Sequence, residues 1–90
     1  ENFIFDNNSM NLYKDGVLIV LSKREKEFFY FLIKNKNILV LTKDIKKKLW
    51  QEDVSDERLR TFVKRLRIKT SKDIVDNISG QGYLISVFNS

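Results

Sequence analysis

Apolar residues recur along this chain with a spacing that changes from strand-like to helix-like and back. Phe3 to Phe5 is a short apolar stretch. The polar cluster Asp6-Asn7-Asn8-Ser9 follows, and its short side chains bond their own backbone and favour a turn. Met10 to Lys14 is a second strand candidate, and the β-branched, leucine-rich Val17 to Leu21 a third. Between them Asp15-Gly16 signals a hairpin, because both residues tolerate the positive φ of a tight type I′ turn. The period then becomes helical. Ser22-Lys23-Arg24-Glu25 fits a capping box, with the Ser hydroxyl accepting from a first-turn amide and Glu25 reaching back to the Ser22 amide. Phe28, Phe31 and Leu32 follow at i, i+3, i+4, widened by Phe29 and Ile33. A helix is expected to about Lys34, ended by Asn35-Lys36-Asn37.

Ile38 to Leu41 is too short for a helix and reads as a lone strand or extended connector. Thr42 is placed to cap a second helix, with Asp44 near the positive end of its dipole and Ile45 and Leu49 facing inward. Lys46, Lys47 and Lys48 point mostly outward. Trp50 to Ser55 is a polar connection anchored by one large aromatic. Ser55 or Asp56 caps a third helix reaching about Lys69. Leu59, Phe62, Val63 and Leu66 form its inward stripe, Arg60, Thr61 and Lys64 lie opposite, and Arg58, Arg65 and Arg67 sit at the edges. Ile74, Val75 and Ile78 then suggest a strand, Gly80-Gln81-Gly82 a turn and Tyr83 to Phe88 a returning strand. The expected α+β domain spans 1–90: N-terminal sheet 1–21, helices 22–36, 42–50 and 55–70, a loop at 50–55 and a hairpin at 74–88.

Ninety residues are enough for one small domain with a modest core. Cysteine and histidine are both absent, which removes disulfides, thiolate nucleophiles, the commonest general base and the commonest metal ligand. Asp53, Asp56 and Glu57 form an acidic cluster, but no base, nucleophile or metal set accompanies them, so the chain reads as a non-enzyme without a cofactor. Apolar runs such as Val17 to Leu21 are far too short to span a bilayer, and the reading is of a cytoplasmic domain that makes no membrane contact. The chain opens on Glu1 and shows no signal-peptide pattern, which suggests a domain cut from a longer protein.

Charge changes the picture because of where it sits. The net charge is +5, from 17 basic and 12 acidic residues. Arg58, Arg60, Lys64, Arg65, Arg67, Lys69 and Lys72 form a stretch with no acidic residue among them, and Lys43 to Lys48 holds four lysines against Asp44. The rest of the chain is net acidic. A basic stretch on an acidic domain points to phosphates of nucleic acid or to an anionic membrane surface; a solvated helix face is the alternative.

Two consecutive helices, the second basic outside, followed by a glycine-turned hairpin describe a winged helix-turn-helix. One α-helix fits the major groove of B-DNA, and side chains on its exposed face meet base edges. Nearly the whole chain resembles the C-terminal effector domain of OmpR/PhoB-class bacterial response regulators. The resemblance rests on Leu21-Ser22-Lys23-Arg24-Glu25-Lys26-Glu27-Phe28, Val40-Leu41-Thr42-Lys43-Asp44-Ile45, Leu49-Trp50, Val63-Lys64-Arg65-Leu66-Arg67 and Ile78-Ser79-Gly80-Gln81-Gly82-Tyr83. It implies a four-stranded N-terminal antiparallel sheet, sequence-specific promoter binding and a homodimer on tandem half-sites. It also implies a phosphorylated receiver domain, which this chain lacks, and a loop that touches RNA polymerase, here Gln51, Glu52, Asp53 and Val54. The chain departs from the family where Arg is common: it has Glu57 near the start of the third helix and Ser79 before the wing glycines. Phe62 stands where a polar residue is common, and reads as core.

Arg65 is the foremost base-reading candidate, since a guanidinium bonds guanine O6 and N7 together. Lys64 and Arg60 suit bases or phosphates, and Thr61 suits a thymine methyl, a phosphate or an ordinary surface position. Arg58 and Arg67 are phosphate candidates. Thr42, Lys69 and Lys72 are weaker ones, with capping or plain solvation as alternatives. Ser79, Gly80, Gln81 and Gly82 make up the wing turn. Trp50 reads as a buried anchor, which usually finds a partner for its N–H. Two other functions share the fold: a winged-helix module that docks protein, and an orphan or membrane-tethered regulator.

Overall fold

The computed structural model describes residues 2–86. Three strands come first: β1 (Phe3–Asp6), β2 (Asn11–Lys14) and β3 (Val17–Ile19). They form an antiparallel meander with Phe3 opposite Lys14 and Leu12 opposite Ile19. The sheet has three strands among the described residues, where the resemblance implied four. Asp15 and Gly16 take φ of 50° and 82°, the left-handed pair a type I′ turn requires. Met10 belongs to the preceding turn and not to β2: its φ is 60°, and its amide donates to the Asp6 carbonyl at 2.6 Å. The Asp6 carboxylate accepts from the Asn8 amide, and those turn hydrogen bonds hold its carboxyl below the usual carboxylate range.

Helix α1 (Lys23–Lys34) starts in a complete capping box. Ser22 Oγ accepts from the Glu25 amide at 3.2 Å, and Glu25 Oε1 accepts from the Ser22 amide at 2.8 Å. A short strand β4 (Val40–Leu41) precedes α2 (Thr42–Leu49) and α3 (Asp56–Lys69). The hairpin strands are β5 (Asp76–Ile78) and β6 (Gly82–Leu84). They are shorter than expected. Ile74 and Val75 are buried in the bend before β5, and the expected end of the returning strand at Phe88 lies outside the described residues. β4 is not alone: it pairs with β6, giving a second sheet of order β4-β6-β5 that joins the wing to the start of α2.

The core is one apolar cluster. Phe28, Phe29 and Leu32 of α1, Ile45 of α2, and Leu59, Val63 and Leu66 of α3 are essentially fully buried. Aromatic contacts run through it in sequence: Phe5 to Phe29 at 6.2 Å between ring centroids, Phe29 to Phe28 at 5.9 Å, Phe28 to Phe62 at 5.5 Å and Phe62 to Trp50 at 5.5 Å. The last three are edge-to-face, each worth about 0.5–1.5 kcal/mol beyond the area buried. Phe62 is half-buried at the margin of this cluster, and its ring serves both neighbours. Trp50 is buried as expected, but its indole N–H has no partner among the described residues.

Polar ties join the layers. Lys14 Nζ donates to the Thr70 carbonyl at 3.0 Å, linking the first sheet to the end of α3. Lys46 Nζ lies 2.6 Å from Asp56 Oδ1, linking α2 to α3, and this contact holds the Asp56 carboxyl below its usual range. The folded carboxyl binds its proton less readily than the unfolded one, so the tie contributes at neutral pH and is lost as pH falls below the ordinary carboxylate range. Urea unfolding followed from neutral to acid pH should show a steeper acid-side loss for the wild-type chain than for Asp56→Asn.

Gly82 sits in β6 and not in the turn. A Cβ there would overlap the Val40 carbonyl oxygen, so the close approach of β4 and β6 excludes any side chain. Gly82→Ala should lower stability by about 1–3 kcal/mol, the usual cost of overpacking, in thermal unfolding followed by circular dichroism.

Candidate nucleic-acid interface

Helix α3 owes its start to Ser55, whose Oγ accepts from the Arg58 amide at 3.1 Å, with Asp56 and Glu57 in the first turn. Its buried residues Leu59, Val63 and Leu66 fix the rotation of the helix about its own axis. Glu57, Arg58, Arg60, Thr61, Lys64, Arg65 and Ile68 are consequently exposed, and neither the wing nor the first sheet covers them. At 100° per residue, positions 57, 61, 64 and 68 run along the crest of that face, flanked by Arg60 on one side and by Arg58 and Arg65 on the other.

The basic residues between Arg58 and Lys72 divide into two groups. Arg60, Lys64, Arg65 and Lys72 project into solvent. Arg58 is exposed as well, although it lies 3.9 Å from Glu52 and 5.8 Å from the Trp50 ring centroid. Two others are engaged internally. Arg67 is half-buried and donates from Nη2 to the Val75 carbonyl at 2.7 Å, while its Nε has no partner among the described residues. The geometry thus sets Arg67 against the base of the wing. Lys69 Nζ reaches Glu25 Oε1 at 2.8 Å, linking the end of α3 to the capping box of α1.

Thr42 does not cap α2. The residue before the helix is Leu41, which has no side-chain acceptor, and Thr42 is the first helical residue. Its amide and hydroxyl both donate to the Gln81 carbonyl, at 3.0 and 3.3 Å, so it holds the wing turn. The first amides of α2 are therefore left without a side-chain cap beside α3. In the wing, Ser79, Gly80 and Gln81 are exposed, and Gly80 takes the left-handed φ of 68° that the turn needs. Tyr83 braces the wing from inside, and burial pushes its hydroxyl pKa up against the opposing effect of Arg67 and Arg60.

An open groove between the start of α1 and α3 is lined by Arg24, Trp50, Arg58, Thr61 and Arg65. Arg24 is the residue that periodicity overlooked. Its Nε donates to the Leu49 carbonyl at 3.1 Å, and its guanidinium lies 4.9 Å from the Trp50 ring centroid. A cation in the first turn of a helix opposes the dipole, and that misfit was the available hint of a partner elsewhere. Gln51, Glu52 and Asp53 are exposed in the loop, and Val54 packs against the core. Among the described residues no group of three acidic, His or Cys side chains is placed to hold a metal ion, and no helix is long and apolar enough to cross a membrane.

This arrangement has close structural counterparts. The DNA-binding domain of Bacillus subtilis CssR superposes with a TM-score of 0.80 at 25% identity, over 93% of this chain and 99% of that one. Response regulator DrrB, a Thermotoga maritima OmpR/PhoB homologue, gives a TM-score of 0.81 at 25% identity over 91% of this chain. The match covers 40% of DrrB, so this chain spans about two-fifths of that protein's length. The DNA-binding domain of response regulator AdeR, solved in complex with an intercistronic region, shares the fold at a TM-score of 0.81 and 18% identity, over 96% of this chain and 95% of that one. No curated protein matches the chain by sequence. The model of the family described as "Transcriptional regulatory protein, C terminal" matches residues 16–85. The chain belongs to that family, and its winged-helix fold is that of the DNA-binding domains of OmpR/PhoB-type response regulators.

Proposed function

We propose that this chain binds promoter DNA sequence-specifically, with α3 in the major groove, as the effector part of a cytoplasmic transcription regulator. The observation that carries this reading is the exposed face of α3: a crest with Lys64, flanked by Arg58, Arg60 and Arg65, set over a fully buried apolar stripe. A protein-docking helix would present apolar anchors along the same face, and here Ile68 alone does so. AdeR offers a parallel, having been solved on DNA.

Within this reading Arg65 bonds a guanine edge, Lys64, Arg60 and Thr61 share base and phosphate contacts, and Arg58 and Lys72 grip phosphates. The α2 amides that follow Thr42, which have no side-chain cap, are a further phosphate seat, as helix N-termini are for anions. Ser79, Gly80 and Gln81 meet the neighbouring backbone. Arg67 and Lys69 act indirectly, since one holds the wing and the other holds α3 to α1. In a full-length protein we assign phosphorylation control to a preceding receiver domain, dimerisation to tandem half-sites, and polymerase contact to Gln51–Val54.

About five phosphate contacts give a log–log dependence of affinity on salt with a slope of roughly −4 to −5. Fluorescence anisotropy with a labelled duplex across a salt series measures it, and a flat response would exclude the proposal. Arg65→Ala should reduce discrimination between specific and random duplexes by roughly five- to a hundredfold; equal losses on both DNAs would remove it as a base reader. Arg67→Ala should weaken both alike and speed amide exchange in Asp76–Ile78, because the wing loses its tie to α3.

A further inference from the structure

The crest of α3 carries one carboxylate, and its surroundings give it no internal task. Asp56 already stands in the first turn and is held by Lys46 at 2.6 Å, and Glu52 lies 3.9 Å from Arg58. Glu57 is exposed and forms no ion pair among the described residues. It lines the same open groove as Arg58, Thr61 and Arg65. Its stabilisation of the helix dipole is small and duplicates that of Asp56.

In a major groove this carboxylate would stand close to phosphates, which weakens binding to every sequence. Only a hydrogen-bond donor on a base edge offsets that repulsion. Guanine offers the acceptors O6 and N7 there, and thymine offers O4; both repel a carboxylate. Adenine offers the N6 amino group beside the acceptor N7. Cytosine offers its N4 amino group with no neighbouring acceptor on the same edge.

We propose, on the basis of the DNA-binding reading above, that Glu57 is a specificity-determining residue that accepts a hydrogen bond from cytosine N4 and rejects guanine and thymine at that position. The carboxylate lowers affinity for random DNA and raises selectivity for one base pair. The neighbouring guanidinium groups of Arg58 and Arg65 keep the helix attractive to DNA as a whole.

Selection from randomised duplexes, followed by sequencing, tests this with the wild-type chain, Glu57→Ala and Glu57→Gln. Circular dichroism checks that each variant is folded, as the exposed position leads one to expect. The wild-type motif should contain one position fixed as cytosine that Glu57→Ala relaxes by roughly five- to a hundredfold, with the others kept. Glu57→Gln should move that position toward adenine, whose N6 and N7 suit an amide. Glu57→Ala should also bind random duplex more tightly than wild type. A wild-type motif that survives unchanged in both variants overturns the role of Glu57 alone. A wild-type chain that selects no motif and shows no salt-dependent complex overturns the DNA-binding reading, and the Glu57 proposal with it.

Discussion

Five aromatic rings, in contact one after the next, set the relative placement of every layer in this domain. Phe5 lies on the first sheet, Phe29 and Phe28 on α1, Phe62 on α3 and Trp50 at the end of α2. Because each ring touches the next at a defined angle, α3 has little freedom to roll or slide on α1. Under the proposed function that rigidity matters, because a helix that reads bases must present its side chains in register with base pairs. The departure at Phe62 makes sense in these terms: a polar residue there would break the series between Phe28 and Trp50.

The internal ties sort the cations more finely than their positions in sequence do. Arg67 and Lys69 fall within the same basic stretch as Arg65, yet their charged ends meet the Val75 carbonyl and the Glu25 carboxylate. The surface left for an anionic partner is therefore narrower than the run of positive charge. It is centred on the middle turns of α3, with the uncapped end of α2 beside it. Thr42, Gly82 and Arg67 all act on the wing: Thr42 through Gln81, Gly82 through contact with Val40, and Arg67 through Val75. The hairpin is thus held at its turn, its returning strand and its base.

Local signals account for much of what could be foreseen. The Ser22–Glu25 capping box, the Asp15-Gly16 turn and the Leu59-Val63-Leu66 stripe each depend on residues within a few positions of one another, and each took the expected form. The exposed half of α3 followed from its buried half by periodicity alone. One misread position, Met10, has its partner Asp6 close in sequence, but the others depend on partners far along the chain. Thr42 has the chemistry of a cap but is held by Gln81, and Gly82 has the composition of a turn but sits where two strands nearly touch. Arg24 meets Trp50 only after folding brings α1 and α2 together. No window of local sequence contains both members of these pairs.

Trp50 has a consequence of its own. The chain contains one tryptophan, so its indole emission arises from a single place. That place is the junction of α1, α2 and α3, with two guanidinium groups near the ring and an N–H that lacks a partner among the described residues. Positive charge held this close to the ring makes its excited state sensitive to any shift in those arginines. The domain thus carries a native optical reporter at the seam where its helices meet, and no label need be attached to watch that seam.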